Sequence, residues 1–101
     1  MSDDVHAAIA RLWQRSRPAV LERVAALQET ATALAAGPLD AEDVRAARAE
    51  AHKLVGSLGT FGVEHGSELA RRVELELEAG GHDAARLADL TAQLRDAVQA
   101  S

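Results

Sequence analysis

The stretch AHKLVGSLGTFG, Ala51 to Gly62, has the apolar spacing of a helix and yet carries glycine at 56, 59 and 62. A glycine inside a helix costs about 1 kcal/mol relative to alanine. The helical pattern here begins at Asp40, with Asp43 three residues on as an imperfect capping box. It continues through a regular stripe of Val44, Ala47, Ala51, Leu54, Leu58 and Phe61, and Gly62 is placed to close it. On a wheel of roughly 100° per residue, His52 lies about 130° from the centre of that stripe. It therefore faces solvent. Arg45, Arg48, Ala49, Val55, Gly56 and Gly59 share its side of the helix. The imidazole leans toward the helix N-terminus, over the turn of Arg48 and Ala49, and leaves Gly56 and Gly59 as bare backbone beyond it. Close packing inside a core does not account for glycines on this side. Clearance around a surface histidine does.

The flanking sequence repeats the helical pattern. Ser2, Asp3 and Asp4 are N-cap candidates for a first helix to about Arg15, with Ile9, Leu12 and Trp13 as its apolar side. Pro18 interrupts, as a kink or a short break. A second helix, about Arg17 to Ala36, carries Val20, Val24, Leu27, Ala31 and Leu34, and Gly37-Pro38 ends it. Beyond Gly62, a helix of about Glu64 to Ala79 presents Leu69, Ala70, Val73 and Leu77 before Gly80-Gly81. Asp83 caps a last one with Leu87, Leu90, Leu94, Ala97 and Val98. Short connections place successive helices antiparallel. The expectation is an all-α, up-down-up-down four-helix bundle, with the first helix as a lid that Leu75 meets.

Composition agrees. The 101 residues fit one domain with a modest core. Aromatic residues make up 2%, too few for a strand-rich protein. With no cysteine, disulfides and thiolate metal sites are excluded, and no two histidines have the i,i+4 spacing of a helical metal site. His6, His65 and His82 read as surface residues. The formal charge of −5 argues against nucleic acid as a partner. No apolar run is long enough to cross a membrane, so a cytoplasmic domain is expected. Arg11, Arg15, Arg17 and Arg23, and likewise Glu74, Glu76 and Glu78, read as solvated helix surface.

His52, Gly56, Ser57, Phe61 and Gly62, followed by Ser67-Glu68-Leu69-Ala70 and Val73-Glu74, resemble a histidine-containing phosphotransfer domain. The resemblance is strongest from Ala51 to Glu74 and implies a bundle of the kind derived above. It implies that His52 is a phosphoacceptor, exchanging a phosphoryl group with the aspartate of a response-regulator receiver domain, with Gly56 supplying clearance. It implies no cofactor in this chain, magnesium being expected only on the receiver, and a monomer. A free-standing chain and a segment of a larger regulator are both compatible with it.

The family usually has a basic residue three positions after the histidine, where this chain has Val55. Arg48 is the better-placed substitute cation, and Lys53 projects roughly 100° away from His52. A free imidazole, with its ordinary pKa of about 6.5, is mostly neutral at neutral pH and needs no buried base. Positioning and nearby cations supply most of the rate of phosphoryl transfer. No phosphate-binding glycine loop is present, so neither kinase nor ATPase activity is expected. The alternative is an interaction module that keeps the bundle without phosphotransfer, which Val55 favours. A bundle used only for oligomerisation requires an exposed apolar stripe, for which Val55, Val63 and Leu75 are the candidates.

Overall fold

A computed structural model describes residues 2–80 and 83–101. Gly81 and His82, named above at a helix end and as a surface histidine, lie outside the described residues. The chain forms four helices: α1 Ser2–Ala36, α2 Ala41–Thr60, α3 Glu64–Glu78 and α4 Ala84–Ala100. α1 packs on α2 and α4, and α3 packs on the same two, so the four close a ring around one core. The expected stripes form that core. Val24, Leu27, Leu54, Leu58, Leu69, Val73, Leu87, Leu94 and Val98 are almost completely buried.

The lid helix is not a separate element, which corrects the expected five-helix order. Residues 2–36 form one helix with Pro18 inside it. Proline lacks an N–H, so the Gln14 carbonyl loses its helical partner. Gln14 and Pro18 are both exposed, which leaves that carbonyl open to water. Trp13 and Val20, buried on either side, anchor both halves to the same core. Trp13 meets Phe61 with ring centroids 5.2 Å apart and planes tilted by 44°. Its indole nitrogen is buried without a hydrogen-bond partner. Ile9 and Leu12, expected to pack with Trp13, are exposed instead, and so is Leu75, which has no lid to meet.

Two local devices fix α2. At its start the Asp40 carboxylate accepts the Asp43 N–H at 2.9 Å, satisfying an end donor of the helix. At its end Gly62 adopts φ +76°. Its N–H reaches the Gly59 carbonyl, and the Val63 N–H reaches that of Leu58 at 2.9 Å. This paired closure requires a left-handed residue, which glycine supplies without strain. It turns the chain so that α3 runs back along α2. Across that seam Arg48 meets Glu78, His52 meets Glu74 and Ser67 meets Val55. Rising numbers on one helix match falling numbers on the other, so the pair is antiparallel.

Candidate functional site

The core stripe of α2 sets which residues face away from it. With Ala51 and Leu54 fully buried, His52 between them is turned outward, and 69% of its side chain is exposed. Arg45, Arg48, Ala49 and Lys53 line an open hollow with it, and Glu74 of α3 forms another wall. The hollow brings Arg48 and Lys53 to the same side as His52. Arg48 reaches across to Glu78 at 3.4 Å. Among the described residues, Lys53 has no carboxylate within ion-pairing distance.

Glu74 departs most from the sequence reading. It was grouped with Glu76 and Glu78 as solvated surface, yet its side chain is only 11% exposed. One oxygen, Oε2, lies 2.8 Å from Nδ1 of His52. A carboxylate can only accept, so Nδ1 donates and the lone pair of the neutral ring is left on Nε2. The other oxygen, Oε1, is buried without a hydrogen bond. Arg71, one turn back, stands 3.8 Å from it, near enough to offset charge but beyond hydrogen-bond length. Glu76 is also largely covered, paired with Arg86 at 3.1 Å.

The glycines separate by environment. A side-chain carbon added at Gly56 would meet nothing within 4 Å, so this backbone is open to an approaching partner. At Gly59 it would come 3.6 Å from the Ser67 hydroxyl, an ordinary contact, so Gly59 lies under the edge of α3. Ser67 donates to the Val55 carbonyl at 2.8 Å, tying α3 to the turn after His52. Val55 itself is half-buried against the core and is only partly available to a partner.

Sequence reasoning missed Glu74, Arg71 and Ser67 as parts of the site. Glu74 follows Ala70 by one turn and stands at the edge of the buried stripe of α3. A carboxylate at that boundary was the available signal. Which residue it would meet on α2 required the register between the helices.

The sequence model of the Hpt domain matches residues 11–101. The chain belongs to the Hpt family. Neither a search of curated proteins nor one of solved structures found a significant match. Hpt domains are histidine phosphotransfer carriers in phosphorelays and interact with response-regulator receivers. The match covers nearly the whole bundle and leaves out the first ten residues of α1. No helix among the described residues of this Hpt domain is long and apolar enough to cross a membrane.

Proposed function

We propose that this Hpt domain carries a phosphoryl group on Nε2 of His52, exchanging it with the aspartate of a receiver domain. The observation that carries the reading is an exposed imidazole whose Nδ1 is engaged by a buried carboxylate. Glu74 holds the ring in the tautomer whose free lone pair, on Nε2, points away from the protein. In the forward step that lone pair attacks phosphorus in the receiver's acyl phosphate. The N–P bond forms as the bond from phosphorus to the aspartyl oxygen breaks, and the aspartate leaves as a carboxylate. The ring gains positive charge as the bond forms, and the Glu74 carboxylate stabilises it. Reversal returns the group to aspartate. The Nδ1 proton stays in its hydrogen bond in both directions.

Arg48 and Lys53 are the cations available to the phosphoryl oxygens, in place of the basic residue that Val55 replaces. Binding a phosphoryl group draws Arg48 away from Glu78, a partly exposed pair with little to lose. The receiver docks over Arg45, Ala49 and the open backbone at Gly56, with Val55 and Gly59 at the margin. The bundle acts as a carrier and has no nucleotide chemistry of its own. Its four helices alternate up and down, with the N-terminal part of α1 extending the first instead of lying across the end.

The test is intact-protein mass after mixing with receivers pre-phosphorylated by a small phosphodonor, with His52→Gln in parallel. The expected result is a single acid-labile phosphate on the wild type and none on the variant. No phosphate from any receiver, cognate ones included, would overturn the assignment and leave a binding module.

A further inference from the structure

α1 is much longer than the bundle it belongs to. Trp13 packs on Phe61, just past the end of α2, and Arg17 reaches the Ser101 carbonyl beyond α4. The residues before Trp13 therefore continue past both neighbouring helices. The long dimension of the molecule, 52 Å against 18 Å across, matches about 1.5 Å of rise for each of the 35 residues of α1. Every residue from Asp3 to Leu12 is exposed.

That arm is not uniformly polar. Val5, Ile9 and Leu12 are 57%, 40% and 48% exposed, and with Leu75 they are the exposed large hydrophobic residues of the described chain. Their spacing of four and three puts them in one stripe, the seam pattern of paired helices. By the same rotation, Asp4, Arg11 and Arg15 all fall on one flank of the stripe, roughly 90–130° from its centre.

We infer that the arm is a self-association surface, and that a second copy of this chain covers it in antiparallel orientation about a two-fold axis near Ile9. In that orientation Val5 of one copy is level with Leu12 of the other. Two antiparallel helices also bring like flanks together. Asp4 of each copy then falls between Arg11 and Arg15 of its mate, twice by symmetry. A parallel pair instead sends the two charged flanks to opposite sides of the contact, so Asp4 meets no arginine of its mate. Charge therefore selects the antiparallel form.

The contact is a single helix pair about three turns long, so the dimer is weak, forming at roughly 0.1–1 mM. His52 lies about 12 Å along α2 from the end that meets Trp13, so the dimer leaves the hollow open. Under this inference the monomer expected from the sequence is one side of a reversible equilibrium. The apolar stripe required for oligomerisation is present on the arm, away from the positions first considered for it.

Sedimentation equilibrium of the full chain from 10 μM to 1 mM tests this. The wild type is expected to move toward dimer mass across that range. Ile9→Glu should weaken association at least about tenfold while circular dichroism stays unchanged. Asp4→Arg alone, and Arg11→Glu with Arg15→Glu, should each weaken it, and combining all three should restore it. A wild type that stays monomeric at 1 mM would overturn the inference. So would a dimer indifferent to Ile9→Glu, or a triple variant that fails to recover. If Ile9→Glu leaves a monomeric protein unchanged in mass but slows phosphate uptake from a receiver, the arm belongs to the receiver and not to a second copy.

Discussion

α2 packs on α3 through one seam and on α1 through another, and the two are built differently. Toward α3 it combines fully buried leucines with three polar ties, from Arg48, His52 and the Val55 carbonyl. Toward α1 the side chains are small, among them Ala26, Ala33, Ala46 and Ala47, and they border an open hollow of about 410 Å³. One ion pair, Arg23 to Glu50 at 3.4 Å, spans it. A site that holds an imidazole against a carboxylate tolerates little sliding between the helices that supply them. The dense seam is the one that carries His52 and Glu74. The loose seam carries no part of the site.

Changing side-chain volume at each seam breaks or sharpens this contrast, and the largest effect is expected at Leu58. Its side chain is fully buried and lies against Gly66 of α3, where even an added methyl would come 3.3 Å from its Cδ1. Leu58→Ala should cost about 2–5 kcal/mol, read as a lower urea midpoint. Ala46→Leu, which adds volume at the exposed rim of the hollow, should stay within about 0.5 kcal/mol of the wild type. Comparable losses at both positions would mean that the seams do not differ in packing.

The next effect is chemical. Glu74→Gln keeps the shape of the side chain and removes its charge, so the fold should survive. A hydrogen bond to a charged group contributes about 1.5–3 kcal/mol, which corresponds to a phosphoryl-transfer rate roughly ten- to a hundredfold lower in rapid-quench kinetics. A purely structural role would leave the ring tautomer unchanged. Nitrogen chemical shifts of His52 should instead show the Nδ1–H form dominant in the wild type and mixed in Glu74→Ala. An unchanged tautomer ratio together with an unchanged rate would remove Glu74 from the chemistry.

What the sequence made legible divides along similar lines. Each core stripe from Val20 onward is buried or half-buried where periodicity placed it, because periodicity records one helix against a common interior. Asp40 and Gly62 were legible for the same reason, since caps are local. The continuity of α1 was not. Pro18 is a strong breaker locally, and it was overruled by Trp13 and Val20, anchored on either side of it. On its own helix Glu74 showed only as a carboxylate at the edge of a stripe, among other glutamates. Its meaning came from α2, through a register set by the turn at Gly62 and the Ser67 bond.

The smallest expected effect lies at the loose seam. Asp43 lines the α1/α2 hollow, and its pKa is raised above the ordinary carboxylate value of 3.8, chiefly by the neighbouring Asp40 charge. A carboxylate whose pKa is higher in the folded state holds its proton more tightly there. It therefore favours folding below the ordinary value, and that contribution is lost as pH rises through the raised one. Asp43→Asn removes the repulsion and keeps the backbone N–H that Asp40 accepts. The variant should gain on the wild type at pH 7 and lose that gain below about pH 3.8. Urea midpoints of both proteins at pH 3 and pH 7 measure it, the difference between them cancelling the titration of every other carboxylate. A gain that persists undiminished in acid would show that Asp43 acts through packing or helix propensity and not through its charge. The acidic start of α2 would then be neutral to the seam it borders.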